Sequence, residues 1–280
     1  MENAYVPEAS QPDDGYTPQW AIMDAPWFRE RYRERLEAAT DGSLTDAALE
    51  DFWRAEGMEL APNPLFDEAW YVSVNADVRA GIELGVFGTG FMHYRESGFA
   101  RRDPHWLFSE EHYFRRNPDL TLLAVQRAGY ANGYDHYLAT GDEEGRSAHP
   151  FFDPGIFRAS CEEARLAHDG QYGGYRFFLE AGPAGSLRTS WYFDPHWYGR
   201  TYPAASAAVA EGLYVNLLHH YLTNATPEAF DPNPHFSEAF YLATYPDVAE
   251  TVRQGTFRNG FAHFMAHGAQ EGRRPCEALD

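Results

Sequence analysis

One short phrase returns five times along the chain, as Phe66-Asp67-Glu68-Ala69-Trp70-Tyr71, Phe108-Ser109-Glu110-Glu111-His112-Tyr113, Phe152-Asp153-Pro154-Gly155-Ile156-Phe157, Phe193-Asp194-Pro195-His196-Trp197-Tyr198 and Phe236-Ser237-Glu238-Ala239-Phe240-Tyr241. A worn copy, Met23-Asp24-Ala25-Pro26-Trp27-Phe28, stands upstream, and the steps between first positions are 43, 42, 44, 41 and 43 residues. A near-constant period of that size marks an array of small supersecondary units, none of which can bury its apolar face alone. The repeat therefore excludes most single-core folds before any other feature is considered.

Each phrase reads as a helix start. Asp67, Ser109, Asp153, Asp194 and Ser237 carry side-chain oxygens that can accept from the free N–H groups of a first turn. The phenylalanine before each cap and the aromatic four positions into the helix have the spacing of a hydrophobic staple. These pairs are Phe66 with Tyr71, Phe108 with Tyr113, Phe152 with Phe157, Phe193 with Tyr198 and Phe236 with Tyr241, with Met23 and Phe28 upstream. Pro154 and Pro195 fall at the first helical position, where a missing N–H is harmless.

Asn117-Pro118-Asp119-Leu120 and Tyr245-Pro246-Asp247-Val248 then end the first helix, because proline disfavours helix at the residue before it. A second helix runs from Val78 to Leu84 and closes at Gly85. A third, from about Gly90 to Ser97, carries His93-Tyr94 and Gly98. Its counterparts are His136-Tyr137 with Gly141, Phe177-Phe178 with Gly182, His220-Tyr221 with Ala225 and His263-Phe264 with Gly268. Glycine at that place predicts a left-handed helix end. The expected fold is all-α: a solenoid-like array of three-helix repeats, about five full units behind a degenerate N-terminal cap. The boundaries are 1–17 disordered, 18–62 cap, 63–104, 105–149, 150–190, 191–233 and 234–275 repeats, and 276–280 tail.

The formal net charge is −20, and all 22 basic residues are arginine. Without lysine there is no P-loop lysine, pyridoxal Schiff base or lysine general base. The negative charge argues against nucleic acid as the main partner. Two cysteines are too few for a disulfide framework. No N-terminal signal and no membrane span is legible, which predicts a cytoplasmic protein, with export lacking an N-terminal signal peptide as the alternative.

The recurring His93, His136, His220 and His263 are expected to pack, each giving a ring N–H to a backbone carbonyl. His263 and His267, four apart on one helix, are the weak candidates for a metal pair. No nucleophile elbow, phosphate loop or distinctive carboxylate pair is visible, so no catalytic or cofactor-binding residue is expected. Trp106, Trp191 and Tyr192 are the aromatics expected to meet a glycan or a partner, or else to cover seams between units.

Phe66-Asp67-x-x-Trp70-Tyr71, Tyr245-Pro246-Asp247-Val248 and His263-Phe264-x-x-His267-Gly268-x-x-Glu271-Gly272-Arg273-x-Pro275 resemble a repeat of many bacterial polysaccharide-biosynthesis proteins. There it lies beside or between glycosyltransferase domains, and similar units occur in some exported proteins. The resemblance spans residues 63–275. The third repeat departs by carrying Phe177-Phe178 and by lacking the Pro-Asp-Val phrase, and the fourth by ending in Asn224-Ala225-Thr226. It implies a non-catalytic scaffold near glycan assembly, whose partner is a protein such as a glycosyltransferase or assembly component, or a glycan. Two alternatives remain: a regulatory region of a glycosyltransferase whose catalytic domain lies elsewhere, and an acidic exported structural protein.

Overall fold

The computed structural model describes residues 15–39, 45–167, 173–180, 182 and 184–277. These are helices and turns, with no β-strand among the described residues. The chain divides into two compact halves, Met1–His149 and Pro150–Asp280.

The first half opens with a single 3-10 turn at Gln19–Ala21 and three helices, α1 (Ala25–Arg31), α2 (Arg33–Ala39) and α3 (Asp46–Ala55). Repeat 1 holds α4 (Glu68–Val74), α5 (Ala76–Glu83) and α6 (Gly90–Glu96). Repeat 2 holds α7 (Glu110–Arg116), α8 (Leu122–Arg127) and α9 (Gly133–His136), which passes into a π turn at Tyr137–Gly141.

The second half holds repeat 3 with α10 (Pro154–Glu163) and α11 (Gly173–Glu180). Repeat 4 has α12 (Pro195–Thr201), α13 (Pro203–Ala210) and α14 (Leu217–Thr223). Repeat 5 has α15 (Glu238–Thr244), α16 (Pro246–Arg253) and α17 (Gly260–His263), with a π turn at Phe264–Gly268. Repeat 3 departs from the three-helix pattern among the described residues. It lacks the Pro-Asp-Val phrase, so nothing stops its first helix, which runs on to Glu163.

The helix starts form as the sequence indicates. Asp67, Asp153 and Asp194 accept from first-turn N–H groups at 2.9–3.0 Å, and Ser109 and Ser237 do so at 3.3 Å. The five phenylalanine staples bring ring centroids to 5.0–5.8 Å. Phe108, Phe152, Tyr71, Tyr113, Tyr198 and Tyr241 are fully buried. Removing a ring of this size from water contributes about 4–6 kcal/mol at most, so the staples dominate the apolar core.

A second device closes each unit. The N–H of the cap residue donates to a carbonyl near the unit's far end: Asp24 to Pro62, Asp67 to Pro104, Ser109 to Ala148, Asp153 to Thr189, Asp194 to Pro232 and Ser237 to Pro275, at 2.7–3.1 Å. The start and finish of every unit are thus tied by one backbone bond.

Neighbouring units are joined through side chains. In the first half Asn132 donates to the Tyr94 hydroxyl and the Phe99 carbonyl, and the Tyr134 hydroxyl donates to the Leu65 carbonyl. In the second half Asn259 donates to the Tyr221 hydroxyl. Some contacts skip a unit. Tyr16 and the Gln19 N–H both donate to Asp135, and Phe151 meets Phe261 at 6.1 Å. A strict one-dimensional stack has nearest-neighbour contacts alone, so each half is more tightly wound than that.

The expected disorder of residues 1–17 lies outside the described residues up to position 14. Tyr16, beyond it, is held by Asp135.

The glycine expectation needs correcting. Left-handed backbone occurs at Gly85, Gly129, Gly145, Gly212, Gly255 and Gly272, in the turns after the second and third helices, and not at Gly98, Gly141 or Gly268. Those three are glycine for space. A Cβ there would run into the hydroxyl of Tyr71, Tyr113 or Tyr241 respectively. At Gly182, whose own repeat carries Phe157 without a hydroxyl, a Cβ meets nothing among the described residues.

Candidate functional site

The recurring histidines are buried, but their partner is a tyrosine rather than a backbone carbonyl. The hydroxyls of Tyr71, Tyr113 and Tyr198 lie 2.8 Å from Nδ1 of His93, His136 and His220, and that of Tyr241 lies 3.1 Å from His263. Burial drives the first helix's staple tyrosine and the third helix's histidine together in a place without water, where each supplies what the other lacks. Repeat 3 has lost both members at once, and Phe157 and Phe177 stand 6.3 Å apart in their place. Burial pushes all four imidazoles below their usual range. An aromatic six positions upstream, Phe87, Tyr130, Tyr214 or Phe257, meets each ring nearly edge-on at 4.7–5.1 Å. Sequence reasoning missed these four, although their fixed spacing was a usable signal.

The Pro-Asp-Val and Glu-Gly-Arg phrases prove to be two halves of one clamp. Arg102, Arg146 and Arg273 each reach back 25–27 residues to grip Asp77, Asp119 and Asp247 with paired bonds. The guanidinium holds each of these exposed carboxyls below the usual carboxylate range. Repeat 4 has lost both partners: Ala204 follows its proline, and Phe230 occupies the arginine's place against Tyr198 and His220.

A third pairing was also missed. Glu68, Glu110 and Glu238 each accept from the first two N–H groups of the third helix of their own repeat. Gly90, Gly133 and Gly260 are required there because a Cβ would press on those carboxylates. Burial outweighs the amide donors and pushes Glu110 and Glu238 up to about 8. Asp103 and Asp231 in turn accept from the backbone N–H of Glu110 and Glu238, and burial raises Asp103 to about 6. Repeats 3 and 4 carry Pro154 and Pro195 at that glutamate position. The sequence signal was an acid directly after the cap, 22–23 residues before a glycine.

In the first half His149 lies within electrostatic reach of His105 and His112. Burial first, and then this proximity, pushes His149 down to about 3. Burial, with Arg115 and Arg116 nearby, pushes His112 to about 4. His112 Nε2 meets the Ser147 hydroxyl at 3.0 Å. No group of three or more His, Cys, Asp or Glu side chains has metal-binding geometry among the described residues. Of the weak metal pair, His263 has its Nδ1 against Tyr241, while His267 is exposed with ring centroids 5.7 Å apart.

The three aromatics singled out in the sequence separate. Trp106 is 4% exposed, so it serves the interior rather than a ligand. Trp191 and Tyr192 are 74% and 46% exposed, and Arg188 lies over the Trp191 ring while pairing with the cap carboxylate of Asp194. A further half-exposed aromatic was overlooked at the third helical position of several units: Trp27, Trp70, Trp197 and Phe240. Beside Trp70 an open groove of about 490 Å³ is lined by Val74, Asn75, Arg101, Arg102 and Asp103.

Comparison with protein-family models, curated proteins and solved structures finds no match. The class that the fold itself defines is an all-helical protein with recurring short helices. No described helix is long and apolar enough to cross a membrane.

Proposed function

We propose that the chain is a non-catalytic helical-repeat scaffold, an array of units that offers its surface to a protein or a glycan near cell-surface polysaccharide assembly, on the cytoplasmic side. One observation carries this reading. The recurring polar residues pair with one another, tyrosine with histidine, aspartate with arginine, and glutamate with a helix start, so their chemistry is spent on holding the units. What varies between units is exposed surface such as Trp191 and Tyr192. Repeat arrays use such surfaces for recognition.

The test is a crosslinked pulldown from the native host with the full chain as bait. Recovery of glycan-assembly proteins or of polysaccharide supports the reading. Turnover of a sugar nucleotide by the purified chain would overturn its non-catalytic part.

A further inference from the structure

We propose that the groove beside Trp70 is a binding subsite for a neutral sugar ring; this rests on the glycan reading above and narrows it to one place and one ligand chemistry. The groove lies within the first half, between α4 and the turn that follows the third helix of the same repeat. Its apolar wall is Trp70, half-buried with its backbone fixed by Asp67, and Val74, which is 54% exposed.

The rest of the lining is polar and partly unspent. Arg102 is immobilised, giving hydrogen bonds to Asn75 Oδ1 and to both oxygens of Asp77. Its neighbour Arg101 is exposed and meets no carboxylate among the described residues. Asp103 accepts the Glu110 N–H through Oδ1, and its Oδ2 meets no donor among the described residues. The groove therefore combines an aromatic surface, one free guanidinium and one free carboxylate oxygen.

That combination fits vicinal hydroxyls. A hydroxyl accepts from the guanidinium and donates to the carboxylate, while the C–H face of the ring lies on the indole. Arg102 is already paired with Asp77, which leaves Arg101 and Asp103 as the opposite charges of the lining. The volume suits one or two sugar residues, and a pocket with a few convergent polar groups is the usual form of a small-ligand site. No other repeat reproduces it. Repeat 2 has His112 at the Trp70 position and Gly145 at the Arg101 position, and repeat 5 has Phe240 and Gly272 there.

The experiment applies the full chain to an array of neutral and uronic-acid oligosaccharides and acidic peptides, then titrates any neutral sugar that binds by tryptophan fluorescence. Trp70→Ala should weaken binding about tenfold and Arg101→Ser several-fold. Trp197→Ala, at the same helical position in repeat 4, should leave it unchanged. Circular dichroism confirms that each variant is folded, and Arg101→Ser, at an exposed position, guards against loss of Trp70→Ala to misfolding. No neutral-sugar signal, binding unmoved by both groove variants, or signal from uronic acids or peptides alone overturns the subsite. A protein partner in the pulldown with no sugar bound on the array would remove the subsite and leave the scaffold reading standing.

Discussion

The hydroxyl of Tyr113 and Nδ1 of His136 lie 2.8 Å apart inside repeat 2, both buried. Tyr113→Phe removes one partner and leaves a buried ring nitrogen without its bond, at a cost of about 1–3 kcal/mol. Tyr113→Phe combined with His136→Phe should cost less than the sum of the two single changes, because Phe157 and Phe177 already form that arrangement in repeat 3. A double-mutant cycle by urea unfolding measures the coupling. Additive losses would mean that the pair does not act as a pair.

Gly141→Ala should destabilise by about 1–3 kcal/mol, since its Cβ would collide with the Tyr113 hydroxyl in a packed interior. Gly182→Ala, where a Cβ meets nothing among the described residues, should shift stability by less than about 0.5 kcal/mol. Thermal melts of the two variants side by side provide the comparison. Equal losses would count against a steric role for the hydroxyl.

Asn216 caps α14 through Oδ1, yet its buried Nδ2 meets no hydrogen-bond partner among the described residues. Its counterparts Asn132 and Asn259 donate to the hydroxyls of Tyr94 and Tyr221, and the residue matching those tyrosines in repeat 3 is Phe178. Phe178→Tyr should therefore supply the missing acceptor and stabilise the chain by about 0.5–1.5 kcal/mol. Chemical unfolding that shows a loss would place the two residues out of reach of each other.

Stability should peak in mildly acidic to neutral solution because two sets of groups oppose each other. The histidines have depressed folded values, so the stability they confer is present above their ordinary 6.5 and lost as the pH falls; His112, at about 4 when folded, extends that loss. Glu110 and Glu238 have raised folded values. Their contribution is full below 4.5 and is lost as the pH rises through about 8. Glu238→Gln, which keeps a neutral carbonyl acceptor for the helix start but cannot ionise, should flatten the alkaline limb. An unchanged alkaline slope would remove Glu238 as its source.

Much of the local structure was legible because it is written in short spacings. The caps at Asp67 and Ser109, the staple from Phe108 to Tyr113, and the end of the second helix at Gly85 all depend on residues within a few positions of each other. The pairings that join distant phrases were not. Asp247 and Arg273 each stood in a recognised motif, but nothing local says that one grips the other across 26 residues. The role of Gly141 was misread for the same reason. A glycine after a helix usually serves the backbone, and the tyrosine that forbids its side chain lies on another helix. Of the surface, Trp191 and Tyr192 were visible in advance, whereas Trp70 stood in the repeat phrase itself and was absorbed into it.

The bond from each cap N–H to a carbonyl 36–39 residues onward has an evolutionary consequence. A segment whose two ends already hold each other can be copied, deleted or exchanged as a cassette without leaving a broken backbone bond at the splice. Gene duplication could thus lengthen or shorten such a chain in whole steps, while each cassette diverged on its outer side under separate selection.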